Sequence, residues 1–255
     1  MTTTTAKPDL APDDTDRTGL STPRTAWWRR PWVLPLAVVC LTFIVISVPR
    51  YLTFDKSQSL IPQPGNLTWH YPLLVAHVLF GTTAMVTCCL QVWPWLRRRY
   101  PAVHRWSGRL YVFAGVLPSG VLAGTIGAVS PSGMSARLSD VILATLWIAC
   151  TLTGLRMILQ GRQADHRRWM VRSFALTMSI VVSRVLGQIY RHTFLPMPTN
   201  GNIADLTVWG QTLAGMASWP GWILPLLVAE YWLVERGAGE KHRRRQARIT
   251  AARQS

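Results

Sequence analysis

The sequence predicts an all-α, polytopic transmembrane helical bundle with six spans and a central four-helix core. Three observations carry this. Of 255 residues, 49% are hydrophobic and only 15% charged, a balance that fits a soluble domain poorly. The apolar residues gather in six stretches of about 20, the length that crosses a hydrocarbon layer about 30 Å thick. The basic residues alternate between connections: 22 of the 27 Lys and Arg fall in the N-terminal tail, in 97–109, in 156–172 and after 233, whereas the opposite side holds Arg50, Lys56, Arg137 and Arg191. By the positive-inside rule both termini and the two basic loops are then cytoplasmic. The net charge of +16 is first a topology signal. Arg-rich inner loops facing anionic headgroups make membrane lipid the expected partner, in preference to nucleic acid.

In chain order, residues 1–30 are rich in Thr, Asp and Pro and are expected to form a disordered cytoplasmic tail. The tail closes on Trp27-Trp28-Arg29-Arg30 at the membrane surface. Paired arginines before an apolar run resemble a twin-arginine export signal, but no small-residue cleavage site follows, so the run reads as an uncleaved first span. Spans are expected at 32–52, 71–95, 108–129, 139–159, 169–191 and 216–234, within a transmembrane domain of 31–235. The segment 205–215 reads either as an interfacial helix or as an early start to the sixth span. In the third span, Gly120 and Gly124 make a small-xxx-small pattern that suits close helix packing, although the same smooth face would admit a flat macrocycle. Pro118 should kink that helix. Residues 236–255 form a basic cytoplasmic tail in which His242 is incidental. The four cysteines, Cys40, Cys88, Cys89 and Cys150, lie inside spans without a Cys-x-x-Cys pair. They read as small hydrophobes, not as a disulfide framework, zinc site or iron–sulfur site.

The two basic loops resemble each other: LRRRYPAVHRWSGRLYVF in the first and LQGRQADHRRWMVRSFAL in the second. His104, Arg105, Trp106 and Arg109 correspond to His166, Arg167, Trp169 and Arg172, so two similar hairpins each place a His and an Arg at the inner boundary. The run from His77 through Gly81, together with LRRRYPAVHRWSGRLYV and HRRWMVRSFALT, resembles the bacterial predicted membrane protein family of domain of unknown function 2306. That resemblance covers about residues 70–190. It implies a polytopic membrane protein and no established activity. The layout is similar to that of four-helix membrane b-type cytochromes, an analogy of architecture alone.

Chemistry then rests on the histidines and a few arginines. Depth along the helices offers two pairs, His77 with His192 in the outer half and His104 with His166 in the inner half. Bis-histidine haem b needs such an imidazole pair on facing helices, with Arg109 and Arg172 near the propionates and a redox partner that the residues do not name. Beside this stands a plainer reading, in which the histidines cap helix ends, contact lipid phosphates or, for His77, make an interhelical hydrogen bond. Arg184 is the one basic residue within a span, where a charge costs about 2.5–3.5 kcal/mol at mid-membrane. Ser173, Thr177, Arg184, Gln188 and His192 follow at helical spacing, so the stripe is expected to face the bundle interior or a wet cavity. Asp140 is the candidate counter-ion of Arg184, and Glu230 is placed to pair with Arg109 or Arg172. An anion-binding transporter and a non-catalytic scaffold therefore stand beside the haem reading. The chain holds no phosphate loop, dinucleotide fingerprint, His-Glu-x-x-His or nucleophile elbow.

Overall fold

A computed structural model describes residues 32–59, 64–65, 67–199 and 202–254, with backbone alone at 58 and 236–254. The tail 1–30, its Trp-Trp-Arg-Arg cluster and the side chains of the terminal basic run lie outside the described residues. Every apolar stretch is helical, as a hydrocarbon surrounding requires when water cannot satisfy the backbone. The helices are α1 (Val33–Ser47), α2 (Pro49–Leu52), α3 (His70–Val92), α4 (Pro94–Arg99), α5 (Pro101–Arg109), a π-helical segment (Leu110–Val116), α6 (Leu117–Val129), α7 (Gly133–Leu159), α8 (Gln163–Thr177), α9 (Ser179–Thr193) and α10 (Ile203–Gln254).

Among the described residues, five helices are long and apolar enough to cross a membrane: His70–Val92, Pro101–Val129, Gly133–Leu159, Gln163–Thr193 and Ile203–Glu235. The shorter apolar helix Val33–Ser47 precedes them and is the first of six spans. Segment 205–215 belongs to the last span, because α10 runs unbroken through it. Threonines inside the spans turn their hydroxyls onto carbonyls four residues back, as Thr82 does to Val78, Thr125 to Val121 and Thr153 to Ala149, which removes an unpaired polar group from the lipid-facing wall.

The core has a simple order. α3 packs on the π segment and α6, α6 on α7, and α7 on α8, while α10 lies along α7, α8 and α9 and α1 leans on α3. Ala84, Met85, Tyr111, Val116, Trp147, Leu176 and Trp222 fill the centre. Close approach of α6 and α7 depends on Gly120, where a Cβ would lie 2.7 Å from Ile148 Cγ1. The glycine face of α6 is thus occupied by α7, which is the packing use of that pattern. The indole N–H groups of Trp219 and Trp222 donate to Ser135 and Ser139 at 3.1 and 3.0 Å, pinning α10 to α7.

Two departures from regular helix shape the bundle interior. The predicted disturbance at Pro118 takes the form of the π-helical turns just before it. Proline lacks an N–H and crowds the carbonyl four residues earlier, and a wider turn accommodates both. The fifth span runs as one helix over Gln163–Thr193, with a single irregular turn at Met178 between α8 and α9. No hint of that turn is present in its apolar pattern.

Candidate binding site at the basic end

The site is built where α3 turns into α5 and α7 turns into α8. After α3, Trp93 is extended and Pro94 and Pro101 each open a short helix. Gln91 then clamps the entry to α5, its amide donating to the His104 carbonyl at 2.7 Å and to Ser107 Oγ at 2.6 Å. After α7, Gly161 takes a left-handed φ of +72°. Its N–H bonds to Ile158 O and that of Arg162 to Met157 O, the glycine-terminated helix ending that lets α8 fold back on α7. Asp165 in the first turn of α8 is paired with Arg162 at 2.7 Å and with Arg168 at 3.7 Å.

The sequence repeat is a structural repeat. Arg109 stacks over Trp106 at 5.1 Å and Arg172 over Trp169 at 4.7 Å, so both Trp-x-x-Arg units form the same cation–π clip one helical turn apart. The motifs lie within α5 and α8, each starting at the fourth residue of its helix, and the loops are shorter than expected. The clips differ in their charge partners. Arg172 also donates from Nε and Nη2 to both oxygens of Glu230 on α10, at 2.5 and 3.0 Å, a two-pronged pair of the kind that fixes orientation. Of the two arginines open to Glu230, the fold selects Arg172. Arg109 is exposed and forms no ion pair among the described residues.

His104 and His166 sit at this same end, both half-buried. His166 Nδ1 lies 2.8 Å from the Gly154 carbonyl. A carbonyl only accepts, so Nδ1 carries the proton and Nε2 of the neutral ring keeps its lone pair. Gly154 permits this approach, because a Cβ there would stand 2.8 Å from Met170 Sδ. His104 Nδ1 is buried and has no hydrogen-bond partner among the described residues.

The outer candidates are placed differently. His77 Nδ1 reaches the Ser119 carbonyl at 2.9 Å and Ser119 Oγ at 3.0 Å, an interhelical bond between α3 and α6. His192 is exposed at the end of α9, and α9 packs chiefly on α10, so the packing does not bring His192 to His77. The expected polar stripe is split. Ser173 and Thr177 are buried, whereas Arg184, Gln188 and His192 are exposed, because α8 packs into the bundle against α7 and α10 while α9 packs chiefly on α10. Arg184 and Asp140 interact electrostatically but form no ion pair among the described residues.

Sequence reasoning passed over a buried hydroxyl cluster. Tyr111, carried inward by the π segment, places its hydroxyl 2.6 Å from Ser173 Oγ and 2.8 Å from Thr177 Oγ1. Thr151 Oγ1 lies 2.6 Å from Ser173 Oγ, and the Trp147 indole donates to Thr177 Oγ1 at 3.0 Å. Ser173 and Thr177 carried a helical-spacing signal; Tyr111, Thr151 and Trp147 carried none. His70, at the opposite end of α3, is fully buried, and neither ring nitrogen has a hydrogen-bond partner among the described residues. No curated protein and no solved structure matches this chain. The family model for predicted membrane protein (DUF2306) matches residues 74–233, which extends the unit past α9 through the sixth span and leaves α1 outside it, and the chain belongs to that family.

Proposed function

We propose that this multi-pass membrane protein holds a b-type haem between His104 and His166 and serves electron transfer in a bacterial inner membrane, with both termini and the basic end cytoplasmic. The observation that carries the reading is the buried Nδ1 of His104, without a hydrogen-bond partner among the described residues, at the same end as His166, whose own Nδ1 is tied to a carbonyl. A backbone carbonyl bonded to one ring nitrogen fixes the tautomer and raises the basicity of the other, the usual support for a metal-ligating imidazole. In this reading His166 Nε2 and a ring nitrogen of His104 would hold the haem iron. When bound, the haem supplies a one-electron couple. Arg109, free of an acidic partner among the described residues, is suited to a propionate, while Arg172 is engaged by Glu230 and holds α8 against α10. The remaining arginines of this end face anionic lipid headgroups.

Absorption spectroscopy of protein purified from haem-sufficient cells tests the reading. A Soret band that shifts with dithionite is expected, lost in His104→Ala and His166→Ala and kept in His77→Ala. Absence of any Soret band in the unaltered protein overturns it.

A second reading rests on Arg184, a charge exposed within a span and without an ion pair among the described residues. With Gln188 one turn away, it supports binding of an anionic small molecule or lipid. That reading expects uptake or binding of an anion to fall in Arg184→Gln while the haem spectrum is unchanged.

A further inference from the structure

The end of the bundle opposite the basic end carries a groove that is apolar in one part and cationic in another. It encloses about 450 Å³ and is lined by Val45, Ile46, Pro49, Arg50 and Thr53, all from α1, α2 and the turn that follows. The local chain explains why Arg50 faces it. A bend at Val48 separates α1 from α2, and Pro49 opens the second helix. On the inner side of α2, Tyr51 is buried in a cluster with Tyr71, Leu74 and Val75 of α3, and the Tyr71 hydroxyl donates to the Asp55 carbonyl at 3.0 Å. These contacts hold Tyr51 inward and leave the preceding Arg50 on the groove. The Thr53 hydroxyl closes the turn by donating to the Arg50 carbonyl at 2.8 Å.

Arg50 is left with unmet hydrogen-bonding capacity. Its Nε is buried without a hydrogen-bond partner among the described residues, and Arg50 makes no ion pair among them. A shielded guanidinium donor with no acceptor costs free energy. The α1 part of the lining is apolar and open: Val45 and Ile46 are 61% and 63% exposed, on a helix that supplies a span, so hydrocarbon lies against them. We infer that the groove seats one phospholipid molecule, its phosphate on the Arg50 guanidinium and an acyl chain along Val45 and Ile46. The planar guanidinium presents paired N–H donors that match phosphate oxygens. A free phosphate satisfies Arg50 alone, whereas an amphiphile meets both parts of the lining. The lipid comes from the leaflet away from the basic end, so this seat is separate from the headgroup contacts there. Because α1 and α2 precede the family match at 74–233, the seat lies outside the matched unit.

The full-length protein in detergent is incubated with dioleoyl phosphatidylglycerol, with dioleoylglycerol, which lacks the phosphate, or with glycerol phosphate, which lacks the chains. Native mass spectrometry counts the lipids held by each molecule. Arg50→Gln should hold one phosphatidylglycerol fewer than the unaltered protein, its affinity for that lipid lowered by about tenfold, as expected for the loss of one charge-assisted contact. Arg50→Lys keeps the charge and should restore that lipid in part. Arg191→Gln removes an exposed arginine at the same end and should keep the full count. Dioleoylglycerol should not fill the seat that Arg50→Gln loses, and excess glycerol phosphate should not empty it. Size-exclusion elution confirms that each variant is folded, with Arg50→Met replacing Arg50→Gln if the latter aggregates. Equal lipid counts in Arg50→Gln and the unaltered protein, or an equal loss in Arg191→Gln, overturn the inference. Displacement of the lipid by glycerol phosphate also overturns it, assigning Arg50 to a free anion. The Soret band read from the same samples should not change, so this result and the haem result stand independently.

Discussion

Arg172 is held by three groups at once, the Trp169 ring and both oxygens of Glu230, yet its side chain remains 24% exposed and that of Glu230 39%. Solvent and headgroups therefore screen the pair, and its coupling should be modest. A double-mutant cycle with Arg172→Ala and Glu230→Ala, followed by thermal unfolding in detergent, is expected to give a coupling of about 1 kcal/mol or less. Tyr111 is a different case because it is wholly buried. Tyr111→Phe removes one hydroxyl from the cluster but leaves Ser173 bonded to Thr151 and Thr177 bonded to Trp147. The expected loss is about 1 kcal/mol, with a lower thermal midpoint, and a larger effect would mean that the cluster acts as one network. At this scale the sequence named Arg172, Glu230, His104 and His166 through the repeat and through charges that needed partners. It could not name Tyr111, whose apolar surroundings on either side make it look like lipid-facing aromatic surface.

Helices here are joined by small residues and by breaks. Gly120 lets α6 meet α7, and adding a branched side chain there drives atoms into Ile148. Gly120→Val should lower stability by about 1–3 kcal/mol, the usual cost of overpacking. Gly210, on α10, has nothing within 4 Å of where a Cβ would stand; Gly210→Ala should be neutral or raise stability by up to about 1 kcal/mol through helix propensity. Comparison of the two thermal midpoints checks the contrast. The apolar runs announced the outer ends of the second, third and fifth spans to within a few residues, whereas the fourth and sixth start earlier than expected, at Gly133 and Ile203. The structure carries the spans further into the basic segments, since LRRRYPAVHRW and the segment from Gln163 are helical themselves. The predicted single polar face became one buried half and one exposed half because α8 packs on α7 and α10 while α9 packs chiefly on α10, a choice of neighbours that the apolar pattern does not record.

For the whole molecule the central question is which end faces the cytoplasm. Six spans return the chain to the side on which it started, and the basic residues favour that side as cytoplasmic. Green fluorescent protein fused after Ser255 should fluoresce, and alkaline phosphatase fused after Pro131, between α6 and α7, should be active. The reverse pattern would overturn the proposed orientation. Span number, helical class and the clustering of basic charge at one end were all legible in the sequence, because a bilayer imposes length and charge rules on the chain one segment at a time. The pairing of Arg172 with Glu230, the engagement of His77 by Ser119 and the hydroxyl cluster at Tyr111 were decided only by tertiary structure. Each depends on which face of one helix is turned toward which face of another, and in a membrane, where lipid is as apolar as a packed core, the hydrophobic pattern carries little record of that choice.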